Sequence, residues 1–279
     1  MAGARTKWYV VNIKARTDQT PQHYYDALKR LKEVNNPIKI TGDKYVLIGS
    51  ITNDTIINPT TGIPDWIVIK LMSFIVVDPN GFYDKRAMQP VSINWNDDWV
   101  GNRKEDEVLF CFANHTLAIK KSSKITLNHV VKYFKEALNT LDPNSFDVDI
   151  IADKGVIDRI KNAYSVIRID ANISYSNPGH ASRFPGVFDY ELKEANPITF
   201  QATLIGNQDN PLGNKPGGFV DALVGAAERD GTVKAKIKEN ANSEVISIDT
   251  GQHPRIVEVK GEKGSNLANV WEKIRSLFQ

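Results

Sequence analysis

The sequence predicts an α+β fold made of two modules of mainly antiparallel sheet with packed helices. Residues 7–15 alternate between apolar and polar positions, as a strand with one buried face does. Leu127, Val130, Phe134 and Leu138 recur at helical spacing, which predicts a buried helix stripe. Short turns such as 41–44 join neighbouring strand patterns directly. Because such hairpins outnumber strand–helix–strand alternations, antiparallel sheets are favoured.

In the first half of the chain, two helices are predicted where a capping residue precedes an apolar stripe. Thr20 precedes Pro21 and the first stripe, and Thr126 precedes the second. Strands are predicted at residues 7–15, 66–78, 108–114 and 117–121, with two more between 38 and 52. Residues 81–106 show neither period, which predicts a long ordered loop.

The second half begins after a helix that ends at Asp142-Pro143-Asn144. We therefore expect modules at residues 1–142 and 143–279. Residues 1–140 hold 19 basic and 14 acidic side chains, so the first module is predicted to be net basic. Residues 146–174 predict a compact β-α-β unit, and further strands are predicted at 198–205, 233–238, 244–249 and 255–260.

The composition is that of a folded globular protein. With 279 residues, 41% hydrophobic and 24% charged, the chain is neither disordered nor collagen-like. The single cysteine, Cys111, lies in an apolar run and predicts a small buried side chain in a reducing compartment. No secretory signal is recognisable, and the longest apolar run is too short to cross a bilayer. We expect a cytoplasmic protein without membrane association.

The strongest local arrangement of charge is basic and precedes the helix from Thr126. A helix N-terminus carries unpaired N–H groups and partial positive charge, so lysines beside it favour an anion or phosphate site. A solvated helix face is the alternative. The lysines concerned are Lys120, Lys121, Lys124, Lys132 and Lys135.

A second basic feature is a strand pattern in residues 233–238. Its period of two places Lys234, Lys236 and Lys238 on one face and three apolar residues on the other. Such a face suits contact with a phosphate backbone. It equally suits an edge strand protected from unwanted pairing, and this second interpretation is the one the pattern favours.

An enzyme interpretation comes from residues near the end of the chain. Asp249 ends one predicted strand, and Glu258 and Lys260 lie in the next, an order that resembles the PD-(D/E)xK nucleases. In that chemistry two carboxylates, here Asp249 and Glu258, hold Mg²⁺ and the lysine positions the attacking water. The pattern is short, and without it no cofactor or metal is expected. The five histidines show no ligand spacing.

Several short segments, taken together, resemble the bacterial family called domain of unknown function 4747. They are Val11-Asn12-Ile13, residues 40–45 and 47–49, residues 77–79 with 82–84, the turn around His115, the helix from Thr126, and residues 250–254. The resemblance implies a bacterial or phage setting and no established activity. The layout also resembles phage-exclusion and recombination-associated proteins of the RexA and RdgC kind, which bind DNA as dimers.

The leading hypothesis is therefore a non-catalytic, sequence-independent nucleic-acid-binding protein of phage defence or a related mobile-element system. One alternative is the metal-dependent nuclease. Another is a protein-interaction subunit of a defence complex, contacting its partner through residues 81–106 and 175–197. A homodimer is also an expected assembly.

Overall fold

The structure, a computed structural model, describes residues 5–53, 57–93, 96, 99–174, 187–195, 197–260 and 267–277. Its helices are α1 (Pro21–Val34), α2 (Leu127–Leu141), α3 (Lys154–Lys161), α4 (Val187–Ala195), α5 (Phe219–Ala226) and α6 (Leu267–Arg275). Its strands are β1 (Arg5–Ala15), β2 (Ile38–Thr41), β3 (Lys44–Asn53), β4 (Trp66–Val76), β5 (Phe82–Asp84), β6 (Gln89–Val91), β7 (Val100–Cys111), β8 (Thr116–Lys120), β9 (Phe146–Ile150), β10 (Ser165–Ser174), β11 (Thr199–Ile205), β12 (Gly231–Lys238), β13 (Ile246–Asp249) and β14 (Ile256–Lys260). Single 3-10 turns are η1 (Phe112–Asn114) and η2 (Thr250–Gln252). The predicted α+β class with antiparallel sheets is confirmed.

The larger sheet is organised around β1. Its strand order is β14-β1-β8-β7-β4-β3-β2, and β9 also pairs with β1. The first half of β1 pairs with β14 and the second half with β9, both along the same edge. Strand β8 pairs with the opposite edge of β1. One strand from the start of the chain thus joins strands from its middle and its end.

Helices cover both faces of this larger sheet. Helices α1 and α2 pack on one face, where Tyr24, Tyr133 and Phe134 are fully buried. Both helices begin as predicted, because Thr20 accepts a hydrogen bond from the N–H of His23 and Thr126 accepts one from His129. Helix α6 packs on the opposite face through Val270 and Ile274. No helix among the described residues is long and apolar enough to span a bilayer.

The smaller sheet has the order β11-β10-β12-β13, and the described helices that pack on it lie on one face. Val220 and Leu223 of α5 and Ile157 of α3 pack against its apolar side chains. Its residues lie in the chain between β9 and β14, which are both strands of the larger sheet. A bridge between Ala152 and Pro254 ties the two connecting segments together. The larger sheet therefore takes β9, β14 and α6 from beyond residue 142.

Two local predictions are wrong. The described part of residues 81–106 is not a continuous loop, because β5, β6 and the first half of β7 lie there and β7 pairs with β4 along its length. The first half of β7 could not be predicted as a strand because it is polar on both faces and so lacks apolar alternation. Residues 146–174 are not a β-α-β unit within one sheet, because β9 pairs with β1 and β10 pairs with β11 and β12.

Candidate nucleic-acid interface

The lysines expected to bind anions begin where β8 ends. Lys120 is the last residue of β8, and the N–H of Lys121 donates to the carbonyl of Lys7 at 2.8 Å. Ser123 and Ile125 then form a turn whose backbone is held by Asp106, which accepts a hydrogen bond from the N–H of Ile125 at 2.7 Å. The turn delivers the chain to the start of α2. Two exposed lysines therefore stand beside a 15-residue helix at its positive end.

An open cleft of about 380 Å³ lies at this point, and we call it the α2 cleft. Lys120, Lys121, Ser123, Thr126 and Asn128 line one side, and Gly251 and Gln252 of η2 contribute to the lining. Among the described residues that line it there is no acidic side chain. Lysine ammonium groups, hydroxyls and the first amides of a helix are donors that suit phosphate oxygens.

A second cavity, of about 510 Å³, lies on the face of the larger sheet that carries α6. It is lined by Lys70, Lys120 and Lys124 together with Glu105, Asp106 and Glu107. The guanidinium of Arg103, with Lys70 and Lys124 nearby, lowers the pKa of Glu105. Equal numbers of positive and negative side chains leave this cavity without excess charge. Lys120 lines the α2 cleft as well, whereas Lys124 does not, so Lys124 contributes less to an anion site than its sequence position predicts.

The two lysines farther along α2 do not line the α2 cleft. The ammonium of Lys132 donates to the carbonyl of Ile40 at 2.6 Å and lies 3.7 Å from Glu136. It therefore attaches α2 to β2. Lys135 is exposed, one turn later on the helix.

The lysines of β12 share one exposed face, as predicted. Val233, Ala235 and Ile237 are buried in the core of the smaller sheet, while Lys234 and Lys236 are exposed and Lys238 is half-buried. The edge-strand interpretation is wrong, because β12 lies between β10 and β13. The sequence could not reveal this, since an exposed polar face and an exposed edge give the same alternation.

We call the exposed side of the smaller sheet the lysine face. Two ion pairs partly neutralise it: Arg168 donates two hydrogen bonds to Asp170, at 2.7 and 2.8 Å, and Lys234 lies 3.3 Å from Asp249. Lys236 and Lys238 add positive charge to these pairs. The face therefore carries a net positive charge in the middle of a four-stranded sheet.

The lysine face and the α2 cleft meet at η2. The carboxylate of Asp249 accepts a hydrogen bond from the N–H of Gly251 at 3.0 Å and so caps this turn. The same carboxylate pairs with Lys234 of the lysine face, and the turn it caps lines the α2 cleft. Sequence reasoning found both groups of lysines but had no signal for their connection, which depends on how the two sheets are placed.

The residues of the nuclease hypothesis lie in different sheets. Asp249 ends β13 of the smaller sheet, whereas Glu258 is on β14 of the larger one and pairs with Lys7 at 2.8 Å. Lys7 and Arg5 lower the pKa of Glu258. The side chain of Lys260 lies outside the described part of the structure. Asp249 and Glu258 therefore do not lie on adjacent strands of one sheet, as the nuclease hypothesis requires. Within the described ranges, no group of three His, Cys, Asp or Glu could hold a metal ion.

The chain matches a known protein family. The family model described as a domain of unknown function, DUF4747, matches residues 4–279. The chain belongs to the DUF4747 family. A search of curated proteins finds none that matches it. The family match spans both sheets, so the α2 cleft and the lysine face both fall within the DUF4747 region.

A second group of ionisable side chains in this DUF4747 protein lies at the seam between the sheets. Arg16, which follows β1, donates to both oxygens of Asp147 on β9 at 2.8 Å. Lys14 pairs with Asp230, and Asn12 donates to the same carboxylate at 3.4 Å. Asp149 lies nearby on β9, where burial raises the pKa of its carboxyl to about 6 despite a hydrogen bond from Ser174. The contacts of Lys14 and Asn12 with Asp230 join the two sheets, and Lys135 of α2 lies close enough to Asp149 to lower its pKa in part.

Asp149 is expected to make the protein less stable as the pH rises through the range from about 4 to about 6. Its pKa in the folded state is above the ordinary 3.8, so the folded state holds this proton where the unfolded state has lost it. Urea unfolding of the wild type and of Asp149→Asn between pH 4 and 7 measures the effect. The variant should gain stability over the wild type as the pH rises to about 6, and a constant difference would contradict the assignment.

Proposed function

We propose that this DUF4747 protein binds nucleic acid without reading its sequence, through the α2 cleft and the adjoining lysine face. The observation that carries the proposal is the cleft itself. Lys120 and Lys121 stand at the amino end of α2, and none of the described residues lining the cleft is acidic. A phosphate there would meet ammonium groups, a hydroxyl and the positive end of a helix.

The lysine face supports the same proposal because it extends positive charge away from the cleft. Successive lysines on one side of β12 lie about 7 Å apart, since the side-chain period is two residues and the rise about 3.4 Å per residue. This spacing is close to the separation of neighbouring phosphates along a nucleic-acid strand. Contacts of this kind hold the backbone and carry no sequence information.

Charge reversal in the cleft tests the proposal. Lys120→Glu with Lys121→Glu should weaken binding by about tenfold or more at low salt, for every sequence tested. The slope of log affinity against log salt should fall by about 0.9 for each duplex phosphate contact that is lost. Fluorescence anisotropy with labelled single- and double-stranded DNA and RNA, over a salt series, measures both quantities.

Lys215→Glu is the matched control. Lys215 is exposed in the segment before α5, and α5 covers the side of the smaller sheet opposite the lysine face. This variant makes the same change of charge as Lys120→Glu alone or Lys121→Glu alone, and it should bind as the wild type does. Equal affinity and equal salt slope for wild type and cleft variant would overturn the proposal. Equal weakening by Lys215→Glu would reduce it to a general effect of net charge.

A further inference from the structure

Strand β11 differs from the other edge strands in its length, regularity and lack of charge. Among the described residues β11 pairs with β10 alone, in an unbroken register of seven residues from Thr199 to Ile205. Its sequence, TFQATLI, holds no charged residue and no proline. Its final residue, Ile205, is 68% exposed.

The edge strands β2, β13 and β14 carry features that normally prevent pairing with another chain. Strand β2 has four residues and a register shift, and Lys132 binds the carbonyl of its Ile40. Strand β13 is also four residues long and ends in Asp249. Strand β14 carries Glu258, which pairs with Lys7. Short length, irregularity and charge are the usual protections of a sheet edge, and β11 has none of them.

The direction of the backbone groups of β11 follows from one hydrogen bond. The N–H of Gly206 donates to the carbonyl of Ile167 on β10 at 2.8 Å. In an antiparallel ladder alternate residues bond to the same neighbour, so Phe200, Ala202 and Leu204 also bond to β10. The backbone N–H and C=O groups of Gln201 and Thr203 therefore point to the outer edge.

We propose that a second copy of this chain pairs with β11, antiparallel, about a two-fold axis at Ala202. Gln201 would then lie opposite Thr203 of the second copy and exchange backbone hydrogen bonds with it. Phe200 would lie opposite Leu204 of the second copy. The two smaller sheets become one eight-stranded sheet.

This register is self-complementary on both faces. Phe200, Ala202 and Leu204 are half-buried and pack against the core of the smaller sheet, so pairing covers their remaining exposed surface with the same side chains. They fall at non-hydrogen-bonded positions, where opposite Cα atoms are about 4.5 Å apart and side chains pack closest. Alanine is small enough to stand on the axis.

The absence of charge argues for a second copy as the occupant. A symmetric antiparallel pair places a strand against itself, so any charged residue would lie near a like charge from its mate. An uncharged strand avoids that repulsion. The proposal is independent of nucleic-acid binding, although the paired sheet would present the lysine faces of both copies on one side.

Two lysines placed on the exposed face of β11 test the pairing. In Gln201→Lys with Thr203→Lys, each new lysine would oppose a lysine of the second copy. Sedimentation velocity over a concentration series should give a dimer for the wild type and a dissociation constant raised about tenfold or more for this variant. A monomeric wild type at all concentrations, or an unchanged dimer in the variant, overturns the proposal.

Asn172→Lys with Ser247→Lys is the matched control. Both positions are exposed on the same face of the smaller sheet, on β10 and β13, and neither belongs to β11 itself. This variant adds the same charge and should remain a dimer. Dissociation in the control equal to that in the edge variant would attribute the effect to charge on the face and overturn the role of β11.

A single cysteine tests the register. Only the residue on the two-fold axis lies opposite its own mate, so Ala202→Cys should form a disulfide between copies under mild oxidation. Thr203→Cys would lie opposite Gln201 of the second copy and should remain largely uncrosslinked. The native Cys111 is fully buried and does not compete. A dimeric Ala202→Cys protein that fails to crosslink would overturn this register.

Discussion

Gly231→Ala is expected to destabilise the protein by about 3 kcal/mol or more, because Gly231 begins β12 where no side chain fits. Its φ is +150°, and a Cβ atom built there would lie 2.1 Å from the carbonyl oxygen of Asn172. That oxygen belongs to the backbone of β10, so relief requires the two central strands of the smaller sheet to separate. Urea unfolding followed by circular dichroism measures the loss.

Gly213→Ala is the control for this prediction. Gly213 lies in the segment before α5, and a Cβ atom there would meet nothing within 4 Å. Its replacement should change the free energy of unfolding by less than about 1 kcal/mol. If Gly231→Ala were as mild as Gly213→Ala, the close approach of β12 to β10 at this position would be refuted.

Removal of Lys14 is the second substitution with a large expected effect. Lys14 and Asp230 form an ion pair at the seam between the sheets, with only 7% and 2% of their side chains exposed. Lys14→Ala leaves the carboxylate of Asp230 buried without this partner, which is expected to cost about 3–5 kcal/mol. The free energy of unfolding, measured by urea titration at pH 7, reports the change.

Replacing both partners distinguishes the lost charge from lost packing. Lys14→Met with Asp230→Leu keeps the volume and removes both charges, and it should recover most of the stability. Lys39→Ala is the surface control, since Lys39 and Asp43 are 3.9 Å apart and mostly exposed. It should change stability by less than about 1 kcal/mol. If Lys14→Ala lowered the free energy of unfolding as little as Lys39→Ala does, burial of the Lys14–Asp230 pair would be contradicted.

The sequence predictions were correct for features set by neighbouring residues and failed for features set by segments far apart in the sequence. Local signals succeeded: Thr20 and Thr126 cap helices, and the alternation around Lys234 and Lys236 gives one buried and one exposed face. The first half of β7 was missed because this segment, which includes Arg103 and Glu107, has no apolar period to detect. This segment is a strand because it pairs with β4, and such pairing cannot be recognised from the sequence of the segment alone.

The candidate interface was predictable only in part, for the same reason. Lys120 and Lys121 beside a helix start are visible in the sequence, and both line the α2 cleft, whose described lining residues include no acidic side chain. Lys132 is equally basic in sequence, yet it is engaged by a carbonyl of β2. Asp249 and Glu258 lie close together in the sequence but belong to different sheets. Strand pairing between distant segments determines which lysines line the cleft and which sheet holds each carboxylate.

The pairing of β1 with β14 determines when this protein can finish folding. Arg5 pairs with Lys260, so the two strands leave the ribosome roughly 13 to 50 s apart at synthesis rates of about 5–20 residues per second. During that interval β1 lacks the partner for its first half, and the apolar surface around Trp8 lacks α6. Completion of the larger sheet is therefore a late step of high contact order, and the nascent chain is most exposed to aggregation along its first strand.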